Sequence, residues 1–227
     1  METSERAYEK IINYVERQIM QGSYKKGDKL PPERELAALL GASRNSVREG
    51  LGILERMGVI SSQQGAGNFI SDNFEKTLIE VMTLMFILEE GTFREISEFR
   101  YALETQALSL AMKNITEEQQ TDIEYYMSML EQTPGEEQKA YYDKKIHYTI
   151  TAASGNRFII DNLQALTEVM DVFIKDMRAK ILSDGSNSEG LMSAHRQMVE
   201  ALREKDESKG LKALKVHFEY IYAYIDG

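Results

Sequence analysis

From Phe74 to Gly227 the chain has no run with the two-residue alternation of a β-strand; apolar residues recur instead every three or four positions. One such stripe runs Ile96, Phe99, Leu103, Ala107, Leu110, behind a Thr92…Glu95 capping box. Thr116…Gln119 opens a second, which Pro134-Gly135 breaks. The pattern predicts further helices over 136–153, 157–182, 190–204 and 207–225. Gly155-Asn156, a polar loop Ser183–Gly190 and the turn Glu204-Lys205-Asp206 separate them. Six or seven helices in roughly 150 residues, joined by short connections, predict an antiparallel all-α bundle.

The first 72 residues read differently. Ser4 is placed to cap a helix with Ala7, Ile11, Ile12, Val15 and Ile19 on its buried face, and Gly22 ends it. Pro31-Pro32-Glu33 then favours a helix start, proline at the first helical position and glutamate in the first turn. That helix is short, with Leu36, Ala37 and Leu40 inward and Gly41 as its stop. Ser43 caps a third helix with Val47, Leu51 and Leu54 as its core stripe and Gly58 as its end. Two strand-like runs, Val59–Gln63 and Asn68–Ser71, flank Gln64-Gly65-Ala66-Gly67 and predict a hairpin with a glycine-rich tip. The chain is therefore mainly α, with a winged helix-turn-helix over 1–72 and a helical domain over 73–227.

Charge follows the same division. Residues 1–72 hold ten basic and ten acidic side chains, and the net charge of -10 lies wholly in residues 73–227. Acidity on that scale argues against nucleic acid as a partner of the helical part, but a neutral first region leaves its own arginines free to read DNA. With no cysteine, a disulfide scaffold, a thiolate zinc site and a cysteine nucleophile are all excluded. No apolar run approaches the ~20 residues of a membrane span. The opening residues lack the apolar core of a signal peptide, so a cytoplasmic protein is expected.

Ser43, Arg44, Asn45 and Arg48 fall at the start of the second helix of the helix-turn-helix, the end that meets base edges in a major groove. Arg44 and Arg48 share one face, away from Val47, Leu51 and Leu54. Arginine there can donate two hydrogen bonds to guanine, discriminating by ~1–3 kcal/mol per pair. Arg34 is placed for the same groove or a flanking phosphate, and Gln64-Gly65 would let the wing tip approach the minor groove. Solvated surface arginines would give the same pattern.

The run Gly27-Asp28-Lys29-Leu30-Pro31-Pro32-Glu33-Arg34-Glu35-Leu36-Ala37, with Ser43-Arg44-Asn45-Ser46-Val47-Arg48-Glu49 and Gly65-Ala66-Gly67-Asn68-Phe69-Ile70, resembles the GntR family of bacterial transcription regulators. The resemblance covers about residues 5–71. It implies DNA contacts by Arg34, Arg44 and Arg48, phosphate contact by Ser43 and a wing contact by Gly65. Where the family has alanine and then a long polar residue two positions later, this chain has Gly50 and Gly52. Mid-helix glycine costs about 1 kcal/mol relative to alanine.

The three histidines all lie in the helical part. Asp143 and His147 are four apart on one helix face. His195 lies on the stripe of Leu191, Met198 and Leu202, and His217 on that of Ala213, Leu214 and Ile221. Each points into the bundle from a different helix. They fit either core imidazoles bonded to carbonyls, or an Asp/His set of the kind that holds Zn²⁺, Ni²⁺ or Mn²⁺. Arg100, one turn from Ile96 and Leu103, fits an internal salt bridge to Glu104 or a bidentate grip on a carboxylate effector.

The helical part is similar to the FCD effector domain of the FadR-like GntR branch. Glu98-Phe99-Arg100…Leu103-Glu104, Asp143…His147…Ser154-Gly155-Asn156, Ala194-His195 and His217 carry that likeness. It implies a divalent metal on Asp143, His147, His195 and His217, with zinc first and nickel or manganese next, and a small carboxylate sensed beside it. The reading expected is a homodimeric regulator, not an enzyme, binding a palindromic double-stranded operator and in this family's habit repressing. A metal-dependent hydrolytic enzyme and a sensor of the metal itself are the competing readings.

Overall fold

The computed structural model describes residues 6–72, 74–183 and 185–225, with the side chains of 136, 172–188 and 224 left aside. Ser4, the expected first cap, lies outside these residues. The chain folds as two compact units that part between Leu78 and Ile79.

In the first unit, α1 (Ala7–Met20), α2 (Glu33–Leu40) and α3 (Arg44–Arg56) precede the antiparallel hairpin of β1 (Ile60–Gln63) and β2 (Gly67–Ile70). Arg6, one residue before α1, donates its backbone N–H to Glu9 at 2.6 Å and takes the cap position. Pro32 is the cap of α2 and not its first residue, a shift of one from the expected start. Ile11, Val15, Leu30, Leu36, Val47, Leu51, Leu54, Ile60 and Ile70 form one core, drawn from every element of the unit. Gly50 is where α3 meets α1: a Cβ there would lie 2.8 Å from Ile11 Cβ, so the glycine permits the close crossing. Gly52 faces open space.

The hairpin has neighbours the sequence pattern did not show. The stretch Gly27–Leu30 runs beside β2, with Leu30 donating to Asn68 O at 2.8 Å and Ile70 to Asp28 O at 2.8 Å. On the other side, the Ser62 N–H donates to the Glu55 carboxylate at 3.2 Å.

The second unit contains, among the described residues, α5 (Phe93–Asn114), α6 (Glu117–Gln132), α7 (Glu136–Ala153), α8 (Arg157–Ser183), α9 (Gly185–Glu204) and α10 (Glu207–Ile225). The helix α4 (Glu75–Leu88) leads into it, making seven helices after the hairpin and no strand among the described residues. Thr92 and Thr116 cap α5 and α6 as their motifs predict. The main core gathers Leu108, Met112, Ile123, Leu130, Ile146, Met198, Leu202, Leu214 and Phe218 from α5, α6, α7, α9 and α10. A smaller cluster joins Ala107 to Ile159, Leu163 and Leu166 of α8.

Two expectations are corrected. The predicted polar loop Ser183–Gly190 is helix from Gly185 onward. Gly190 sits where α10 passes, since a Cβ there would lie 2.1 Å from the Tyr220 ring; the glycine serves a helix crossing, not a turn. On α5, Phe99 is 45% exposed, while Ser97, Arg100 and Glu104 are buried instead. The face that α5 turns to the histidine-bearing helices is polar, which a search for apolar stripes passes over.

Candidate nucleic-acid interface and candidate metal centre

The tight turn between α2 and α3 depends on Gly41 at φ 59°, a left-handed conformation glycine takes freely. Ser43 then caps α3, its Oγ accepting from the Ser46 N–H at 3.1 Å. This fixes the α3 N-terminus outward: Ser43, Arg44, Asn45 and Arg48 are all exposed, as is Arg34 on α2. Arg34 and Arg44 make no ion pair among the described residues. Arg48 donates from Nε to Glu33 at 2.8 Å, tying α3 to α2 and leaving the outer nitrogens of its fork outward. At the wing tip, Gln64 and Gly65 are exposed, and Gly65 at φ 76° closes the turn. Glu33 escaped the sequence reading; its only signal was an acid at the helix start, which a favourable helix dipole already explains.

In the second unit the four expected ligands come together in the bundle interior, all of them buried. Ring nitrogens of His147, His195 and His217 lie within 4.8 Å of one another. Asp143 Oδ1 is 2.9 Å from His195 Nε2 and 3.9 Å from His147 Nε2. The outer nitrogens are already engaged. His147 Nδ1 donates to Glu104 Oε2 at 2.8 Å, and His195 Nδ1 donates to Leu191 O at 2.9 Å. These partners place a proton on each Nδ1, and the two Nε2 atoms face each other at 3.2 Å. Neither nitrogen of His217 has a hydrogen-bond partner.

Glu104 is the residue that ties this cluster to α5. It is paired with Arg100 through that residue's Nε and with His147 at once. Burial by itself would raise its carboxyl, but the Arg100 guanidinium and His147 outweigh it and bring it down to about 2. His217 is pushed the other way: burial, then its neighbours His195 and His147, hold its imidazole well below the usual 6.5 and therefore neutral. The residues present suit a divalent cation. Three converging imidazoles beside a carboxylate, one of them a buried histidine with no hydrogen-bond partner, form a set of nitrogen and oxygen donors of the kind such an ion takes.

A cleft of about 210 Å³ reaches Asp143 and His195 from between α6, α7 and α9, with Lys139, Glu131, Met192 and Arg196 around it. Arg196 bridges to Glu131 across it. Arg100 does not line this cleft; its guanidinium lies 5.5 Å from the Phe218 ring, on the α5–α10 side of the cluster.

Comparison with known proteins agrees with both halves. The family model "Bacterial regulatory proteins, gntR family" matches residues 7–70, and the FCD domain model matches residues 95–220, more than half the chain. The Exu regulon transcriptional regulator of Escherichia coli (strain K12) is 28% identical over 222 residues, covering 94% of this chain and 82% of that protein. The Glc operon transcriptional activator of the same organism is 29% identical over 168 residues, covering 71% and 66%. The solved structure of Streptococcus agalactiae GntR superposes with a TM-score of 0.64 at 21% identity, over 95% of this chain and 99% of that one, a likeness of fold. No helix among the described residues is long and apolar enough to cross a membrane. The matched family and these relatives are transcriptional regulators, not enzymes. With a reading helix and wing at one end and a helical FCD domain after it, the chain belongs to the GntR family of regulators and is a DNA-binding transcriptional regulator of the GntR/FCD type.

Proposed function

We propose that this regulator is a homodimeric repressor that binds a palindromic operator through residues 1–72 and senses a small organic acid in residues 73–227, beside a divalent metal. Arg44 and Arg48 read guanines in the major groove, Asn45 a neighbouring base, and Arg34 and Ser43 the backbone, while Gln64 and Gly65 carry the wing to the minor groove. The exposure of all seven residues supports this, since none has to leave a core to reach DNA.

Asp143, His147, His195 and His217 hold the metal, Zn²⁺ before Ni²⁺ or Mn²⁺, because imidazole and one carboxylate suit a borderline ion. The observation that carries this is the pair of Nε2 atoms facing each other at 3.2 Å with an Asp143 oxygen beside them. Bound there, the ion would supply a Lewis-acidic docking point for a carboxylate. Arg100 keeps its Nε on Glu104, so its terminal nitrogens are the ones that turn to the acid. Acid binding then biases the bundle between two arrangements that hold the DNA-reading units differently.

The test is elemental analysis of the protein purified without chelator, beside the His147→Ala/His195→Ala/His217→Ala variant. About one metal per chain, absent from the variant, supports the site. No metal in either, even after soaking in zinc and nickel, overturns it. Release from operator DNA by small carboxylates, in wild type but not in Arg100→Ala, supports the acid sensor; DNA affinity that follows free metal alone would make it a metal sensor.

A further inference from the structure

The four residues that converge in the bundle are shut away from water: Asp143 is 5%, His147 6%, His195 1% and His217 2% exposed. An ion reaches them only through an opening between helices. The cleft of about 210 Å³ between α6, α7 and α9 is such an opening, since Asp143 and His195 are among the residues that line it. An ion pair crosses its outer part. Arg196, the residue after His195 on α9, pairs through Nε with Glu131 on α6, and its Nη1 lies 3.6 Å from Glu189.

The helix that carries Glu131 does not explain it. Glu131 falls in the last turn of α6, where the helix dipole disfavours an acid. Its compensation lies across the cleft, in Arg196. The pair ties α6 to the helix of His195, yet both side chains stay partly in water, 48% exposed for Arg196 and 36% for Glu131. Such a contact opens and closes by side-chain rotation, without any rearrangement of the backbone.

We propose that this ion pair is the gate of the metal site: the ion enters and leaves by the α6–α7–α9 cleft, and the Arg196–Glu131 contact holds the mouth closed. The proposal rests on the metal reading above. The walls select a cation. Glu131, Glu189 and Asp143 face Lys139 and Arg196, three carboxylates against two cations, within a part of the chain that carries the whole net charge of -10. A cleft with an excess of one sign concentrates ions of the other. An organic acid taking this way would meet two glutamates, whereas Arg100 stands on the α5–α10 side of the cluster. With the pair closed, Arg196 sets a positive charge in front of the ligands. With it open, Glu131 and Glu189 become free carboxylates along the path.

Transfer of Zn²⁺ between the full chain and a chromogenic chelator, followed by stopped flow in both directions, tests the gate. Arg196→Gln and Glu131→Gln each break the pair but change the charge of the mouth in opposite senses. A gate makes both variants faster in uptake and in release, by about two- to fivefold, the closed time a half-exposed ion pair can add. The swapped variant Arg196→Glu/Glu131→Arg then returns both rates toward those of the wild type. If uptake rises in one single variant and falls in the other while release stays unchanged, the two residues act only through their charge and the gate is overturned. Wild-type rates in both single variants overturn it too, and leave the metal site standing. A wild-type chain that binds no Zn²⁺ overturns the site and the gate together.

Discussion

His147 and His195 face each other through Nε2 atoms 3.2 Å apart, while their Nδ1 atoms are committed to Glu104 and to the Leu191 carbonyl. Two helices thus bring ring nitrogens to one point, and His217 adds a third imidazole with no hydrogen-bond partner of its own.

Removing metal should expose a pH dependence set by His217. Its folded pKa is depressed well below 6.5, the value it regains on unfolding. The unfolded chain therefore binds the extra proton first. The stabilisation is complete above about pH 6.5 and is lost as pH falls from there toward the folded pKa, at about 1.4 kcal/mol per pH unit. Urea midpoints of chelator-treated protein at several pH values should fall along this slope, and His217→Phe should flatten it.

Glu104 orients His147 and neutralises Arg100 in one step. Glu104→Gln is expected to weaken metal binding about 10–100-fold, the usual cost of losing an orienting carboxylate. Glu104→Ala, which leaves the buried Arg100 unpaired, is expected to cost about 3–5 kcal/mol of stability. Competition with a chromogenic chelator measures the first effect and thermal unfolding the second.

On the DNA side, Arg44→Ala should lose about 1–3 kcal/mol of specific binding with no change in stability, because Arg44 is exposed. Arg34→Ala should weaken all sequences alike and reduce the salt slope by about one. If Arg48 reads a base as proposed, Glu33→Gln should lower discrimination there, since Glu33 holds the Arg48 Nε at 2.8 Å. Titrations of specific and scrambled duplexes at several salt concentrations separate the three.

The two glycines of α3 should behave oppositely. Gly52→Ala meets open space and should gain up to about 1 kcal/mol. Gly50→Ala drives a methyl to within 2.8 Å of Ile11 Cβ and 2.9 Å of the Tyr8 carbonyl, so overpacking by about 1–3 kcal/mol should outweigh its propensity gain. Melting of the paired variants gives the signs directly.

Legibility in the sequence followed locality. Caps such as Thr92–Glu95 and Ser43–Ser46 act within four residues, so their motifs located the helix starts correctly. The histidines were found because each sits on its own helix stripe. What joins them was not readable: Glu104 and His147 are 43 positions apart, and only tertiary packing makes them neighbours. The same applies to Gly190, whose reason is Tyr220, and to Phe99, turned outward because α5 buries Ser97, Arg100 and Glu104.

The hairpin of β1 and β2 is flanked by Gly27–Leu30 along β2, and on its other side the Glu55 carboxylate takes the Ser62 N–H. A two-stranded ribbon exposed at the tip of a reader would otherwise offer bare peptide groups to any passing strand. Here the β2 edge is paired by Gly27–Leu30 and the Ser62 N–H of β1 is held by Glu55, which leaves less of the ribbon open to a stray strand.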